Sequence, residues 1–126
     1  MNWLLVFVGA GLGGMLRHAV NVTAPRMIGT DFPGGTLAIN VLGSFLIGVI
    51  AGWLAFRAGE SWSLSARLFM VTGILGGFTT FSAFSLDVAV LFERGEAWSA
   101  IAYVVGSVGL SLIAVFAGLA LTRAFA

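Results

Sequence analysis

Asn40 sits in the middle of an uncharged run from Phe32 to Phe56, with Thr36 four residues before it and Ser44 four residues after. On a helix these three side chains share one face. A second uncharged run repeats the spacing with Tyr103, Ser107 and Ser111. An amide is costly to leave against lipid, so Asn40 faces protein or water. Two stripes of amide and hydroxyl donors without a ring of acids can hold an ion without charging its surroundings, and they suit an anion better than a cation. Each residue also has a plainer role, since Asn40 can bond a neighbouring helix and serines and threonines often bond their own i−4 carbonyl.

A third constellation is the stretch GGFTTFSAFS at 76–85. Gly73 and Gly77 form a small-xxx-small pair, and Gly76-Gly77 followed by Thr79-Thr80 marks a place for a helix to break. A broken helix is tolerated at membrane depth only where protein or a watery cavity satisfies the freed backbone groups. Freed carbonyls can hold a cation, and the N-terminus of the following half-helix favours an anion. Phe81 and Phe84 fall on one side of that half-helix, where positive ring edges can line an anion path without charging it. Taken on spacing alone, the same pair serves as core. Arg17 raises anion concentration at an entrance, or simply snorkels from a helix end. Asp87 is the acid within reach of a span. One carboxylate makes no dyad, lysine and cysteine are absent, and the single histidine, His18, has no partner ligand at metal spacing, so enzyme chemistry is not expected.

The elements that must position these groups are membrane spans. Of the 126 residues, 60% are hydrophobic and 9% charged, which excludes an ordinary soluble domain. The charges mark off four neutral runs, Met1–Leu16, Phe32–Phe56, Leu68–Leu86 and Ala97–Thr122. A hydrocarbon core of about 30 Å takes roughly 20 residues of helix. The expected fold is therefore an all-α membrane protein, one transmembrane domain over 1–126, with spans near 3–21, 36–56, 68–91 and 97–122 and the third broken near its middle. No basic region precedes the first apolar stretch, so it is expected to stay as a helix rather than be removed. Gly9, Gly11, Gly13 and Gly14 in span one, and Gly48 with Gly52 in span two, allow close helix approach. Pro33 and the glycines after it suit entry into the second helix.

All six basic residues are arginine and net charge is +1, so there is no basic tract for nucleic acid. With four spans, Arg57, Arg67 and Arg123 lie on the side of the N-terminus and Arg17, Arg26 and Arg94 on the other. Orientation is normally set by an excess of positive charge on the cytoplasmic side, and here neither side has one. Insertion both ways round, with pairing into an antiparallel homodimer, follows as an expectation. A bias set at the end of the first helix is the alternative.

Over essentially its full length the sequence resembles the CrcB/Fluc family of fluoride channels. The resemblance rests on GMLR at 14–17, GTLAINVLGSFLIG at 35–48 and GILGGFTTFSAFS at 73–85. It implies a dual-topology antiparallel homodimer in the bacterial plasma (inner) membrane, embedded in lipid, that exports fluoride passively and relieves its toxicity. It implies fluoride-pore roles for Asn40, Phe81, Phe84, Ser82, Tyr103, Ser111 and Asp87, and a vestibule role for Arg17. It further implies a structural sodium ion at the dimer centre, held by backbone carbonyls of Gly76 and Thr79 from both copies. Two positions depart from the family pattern: Asp87 replaces a glutamate that is one methylene longer, and Val115 replaces a threonine found in some members. The rival reading is a proton-coupled transporter of the small multidrug-resistance type, which calls for a buried carboxylate in the first helix. The first span has none.

Overall fold

The computed structural model describes residues 2–29, 32–57 and 59–125. It is all-helical, and four of its helical stretches, Asn2–Met27, Gly34–Ala55, Ser63–Glu93 and Ala97–Ala124, are long and apolar enough to cross a membrane. Helix α1 (Asn2–Ile28) runs past Asn21 and through Pro25, although the proline offers no N–H to the preceding turn. It stops at Gly29, whose φ of +85° lets its N–H return to the Pro25 carbonyl at 3.0 Å. Pro33 precedes α2 (Gly34–Ala55), and its carbonyl accepts from the Leu37 N–H at 3.2 Å, so the expected entry point is the observed one.

The third crossing is a composite. A short helix, α3 (Ser63–Arg67), passes into a π-helical segment, Leu68–Leu75, and then into one α-turn, α4 (Gly76–Phe78). Thr79 and Thr80 are extended, with ψ of 156° and 125°, and α5 (Phe81–Glu93) begins immediately after them. The break predicted for 76–80 thus falls on the two threonines, and the two glycines stay helical. The π segment, where hydrogen bonds run i→i+5, was not foreseen from the sequence; such segments recur at functional sites. Gly95, at φ +79°, turns the chain into α6 (Ala97–Ala124), and the Glu96 N–H reaches back to the Leu91 carbonyl at 2.9 Å.

Two glycine-lined seams hold the helices together. A methyl group on Gly9 would meet the Phe69 carbonyl at 2.6 Å and the Gly73 Cα at 2.9 Å, and one on Gly13 would run into the backbone of Ile74 and Phe78. Gly77 lies in the same way against Ala10. Gly9 and Gly13 on α1 therefore interlock with Gly73 and Gly77, two small-xxx-small pairs filling each other's gaps. On the other side, Gly48 abuts Val115 and Leu119, Gly52 abuts Thr122, and Gly118 abuts Phe45 and Val49, which brings α2 against α6. Lipid gives apolar helices no reason to associate, so backbone contact of this closeness supplies the attraction. A small core of Phe84, Leu91, Ala100 and Tyr103 joins α5 to α6, with Leu37, Val88 and Val104 packed on it.

Candidate functional site

The helix break is pinned from the side by Asn40. Its Oδ1 accepts from the Thr80 N–H at 3.2 Å and its Nδ2 donates to the Thr80 carbonyl at 3.3 Å. This reciprocal pairing fixes which way the amide points. In an unbroken helix the Thr80 N–H would serve the Gly76 carbonyl; given to Asn40 instead, it leaves that carbonyl without its i+4 donor. The Thr80 hydroxyl then caps α5 by accepting from the Ala83 N–H at 3.2 Å, and Thr79 returns its own hydroxyl to the Leu75 carbonyl at 2.8 Å. Gly43 is a glycine because the Thr79 methyl occupies the space of a Cβ there.

A cavity of about 280 Å³ opens beside this break. Asn40 and Ser44 line it from α2, Ser107 and Ser111 from α6, and Thr79, Thr80, Phe81 and Phe84 from the break and the start of α5, with Ile47 and Val108 as apolar walls. Two members of each donor stripe and the aromatic pair, separated by up to 71 positions in sequence, line one space. The Asn40 amide has a second Nδ2 hydrogen beyond the one given to Thr80. The Ser107 hydroxyl is buried, with the residue 5% exposed, and has no hydrogen-bond partner among the described residues. Leaving a hydroxyl so costs about 1–3 kcal/mol unless something occupies the cavity it lines.

Phe81 and Phe84 stand 5.5 Å apart between ring centroids at 47°, but in different surroundings: Phe84 is 8% exposed and Phe81 78% exposed. Phe84 also packs on Tyr103, with ring centroids 5.0 Å apart, and Tyr103 and Phe32 form a T-shaped pair with centroids 5.4 Å apart. The Tyr103 hydroxyl donates to Asp87 Oδ2 at 3.0 Å. Asp87 and Thr36 line a second cavity of about 310 Å³, with Asn21, Phe32 and Gly35 at the α1–α2 end of the fold. The shorter carboxylate therefore does reach an aromatic hydroxyl. Tyr103 is fully buried, against Phe84, which lines the first cavity, and bonded to Asp87, which lines the second.

Of the residues singled out in the sequence, Asn40, Phe81, Phe84 and Ser111 meet at the break, and Thr79 joins them. Tyr103 and Asp87 pair with each other beside the second cavity. The Ser82 hydroxyl lies 3.2 Å from that of Thr80, at the exposed rim of the break. Gly76 is exposed on α4, and Arg17 is half-buried on α1, lining neither cavity. Ser107 belongs with the site residues on the strength of its unpaired hydroxyl, and its place four residues from Tyr103 and from Ser111 was the available signal. The hold of Asn40 on Thr80, across 40 residues, has no signal in local sequence.

Comparisons with known proteins bear on what this groove serves. The family described as CrcB-like protein, Camphor Resistance (CrcB), matches residues 4–119. The chain is 59% identical over 125 residues to the "Fluoride-specific ion channel FluC 2" of Nitrobacter hamburgensis, covering 98% of each chain. It is 57% identical over 124 residues to the "Fluoride-specific ion channel FluC" of Rhodopseudomonas palustris strain BisB5, again covering 98% of each. The FluC of Granulibacter bethesdensis is 55% identical over 125 residues, 98% of this chain and 95% of that one.

Proposed function

This chain belongs to the CrcB family, and from that premise we propose that it is a fluoride-selective ion channel of the bacterial inner membrane, spanning it four times. The observation that carries the reading is the cavity at the helix break, where uncharged amide and hydroxyl donors and the paired phenylalanines converge, one hydroxyl still lacking a partner. An anion in that space gains donors that replace part of its water shell and meets no carboxylate: the acid nearest by fold, Asp87, is engaged with Tyr103 beside the other cavity. Passive flow needs no nucleotide. Fluoride enters acidified cells as neutral HF and is trapped as the anion near neutral pH, and a potential negative inside drives anion exit by about 2.3 kcal/mol per 100 mV. Nothing in this scheme is an enzyme step, and the multidrug-transporter reading finds no carboxylate in α1 to run on.

Within this reading, the conducting unit is a pair of oppositely inserted chains. The support is that Phe81, although it lines the groove, is 78% exposed, so one wall is left for a second copy to supply. The balanced arginines permit both orientations. A structural sodium ion fits the same scheme. Thr80 gives its N–H to Asn40 rather than to the Gly76 carbonyl, so that oxygen is available, and Gly76 with Thr79 would hold the ion by backbone carbonyls from each copy. Its charge would hold the two broken helices together. Asn40, Phe81, Phe84, Ser107 and Ser111 then form the fluoride path, Tyr103, Asp87 and Ser82 serve at its ends, and Arg17 draws anions to a vestibule.

Efflux from liposomes containing the purified protein, followed with fluoride and chloride electrodes, tests the function. Rapid fluoride loss with a counter-ion path, and chloride retained, is expected. Vesicles that hold their fluoride, or that exchange protons for a cationic drug, would end the proposal.

A further inference from the structure

A third cavity, larger than the two beside Phe84 and Asp87, lies away from the helix break. It measures about 710 Å³ and sits where α2 and α6 both end, lined by Trp53, Phe56, Arg57, Glu60, Leu121 and Phe125. The Thr122 hydroxyl closes its inner end by donating to the Val49 carbonyl at 3.0 Å. Both helices stop here, so the cavity opens at the level where a bilayer passes from hydrocarbon to headgroup.

Of its two charged groups, Arg57 is held by its own side chain. The Arg57 guanidinium carbon lies 4.7 Å from the centre of the Trp53 ring, and Nη1 donates to the Trp53 carbonyl at 3.3 Å. One donor of the fork is thus used, and the others have no partner among the described residues. The Trp53 ring is itself backed by Trp62, with centroids 5.4 Å apart. The Glu60 backbone belongs to the same turn, its N–H donating to the Arg57 carbonyl at 3.0 Å, and its side chain is exposed at the mouth. Among the described residues Arg57 and Glu60 form no ion pair with each other or with a third group. A cation and an anion at one mouth, above walls of Phe56, Leu121 and Phe125, repeat the layout of a zwitterionic phospholipid: phosphate, ammonium and acyl chain.

We propose that this cavity binds a zwitterionic phospholipid of the phosphatidylethanolamine type. The phosphate lies on Arg57 and the ammonium on Glu60, and one acyl chain runs between α2 and α6. Arginine alone favours any phosphate, and an anionic lipid above all. Glu60 turns that preference toward a headgroup that also carries a positive charge, because it repels a second negative one. The lipid fastens the end of α2 to that of α6 at the level of the Thr122 bond. The inference stands apart from fluoride transport and involves none of the residues at the break.

Native mass spectrometry of the purified, delipidated full chain, offered phosphatidylethanolamine and phosphatidylglycerol in equal amounts, tests it. The unmodified chain should retain phosphatidylethanolamine about fivefold over phosphatidylglycerol, the discrimination one exposed charge pair gives. Glu60→Gln should bring that ratio to one or reverse it, and Arg57→Gln should lower retention of both lipids. Equal retention by the unmodified chain, a preference for phosphatidylglycerol, or a ratio unmoved in Glu60→Gln overturns the proposal. Glu60 is exposed and makes no side-chain bond among the described residues, so its variant keeps the test valid even if Arg57→Gln fails to fold.

Discussion

The seam between α1 and the third crossing, and the groove between α2, α5 and α6, are built on the same four-residue spacing and serve opposite ends. In the seam, Gly9 and Gly13 face Gly73 and Gly77 so closely that one added carbon strikes backbone. Nothing can enter. In the groove the spacing sets Asn40 and Ser44 across from Ser107 and Ser111, and a space remains that these donors line. Small residues at i and i+4 remove volume so that helices can touch, whereas hydroxyls and amides at the same spacing keep volume that needs a polar occupant. Charge does not separate the two, since both lie in runs without any.

The sharpest way to break this contrast is to fill the seam. Gly13→Leu should abolish the folded protein and Gly13→Ala should cost about 1–3 kcal/mol, because the obstructing atoms belong to the backbone of Ile74 and Phe78 and cannot rotate away. Gly11→Ala, where no atom lies within 4 Å, should be neutral or mildly stabilising. Denaturation in detergent compares them, and equal tolerance at Gly11 and Gly13 would refute the seam. Next comes the groove's anchor. Asn40→Asp sets a carboxylate against the Thr80 carbonyl in place of a donor, which should cut fluoride flux about 100-fold, the equivalent of about 3 kcal/mol. Flux at the original rate would remove Asn40 from the mechanism, and unaltered flux in Phe81→Ile would do the same for the ring pair.

A finer distinction rests on Ser107. Because its hydroxyl lacks a partner, Ser107→Ala should leave unfolding unchanged or slightly harder while lowering fluoride flux about tenfold, the loss of one ligand bond of about 1.4 kcal/mol. A seam residue could not show that pairing of effects. If stability and flux fall together, Ser107 is ordinary packing. Smallest of all, Thr122→Val removes the bond to the Val49 carbonyl and should destabilise by about 0.6 kcal/mol without touching flux. A drop in flux there would show that the α2–α6 contact and the groove are not independent.

The spans could be read from the sequence because charge and hydropathy are properties of single residues, and four neutral runs leave little choice of element. Both glycine pairs and both donor stripes were likewise legible, since helical period alone puts their members on one face. What escaped was everything that depends on a partner. The π-helical form of Leu68–Leu75 leaves no mark in residue type, and the break settles on Thr79 and Thr80 rather than on the more flexible Gly76 and Gly77. Propensity favours the glycines. Asn40 decides otherwise, by offering the Thr80 backbone the two bonds it loses on leaving the helix. Similarly, spacing placed Tyr103 with Ser107 and Ser111, but the bond to Asp87 engages its hydroxyl beside the other cavity.

The Asn40 latch has a consequence for how the molecule comes to exist. Because the interruption is held open from another helix, a synthetic peptide covering residues 63–93 in micelles should heal into a continuous rod. A straight peptide would mean that the kink is acquired only once Asn40 of α2 is in place.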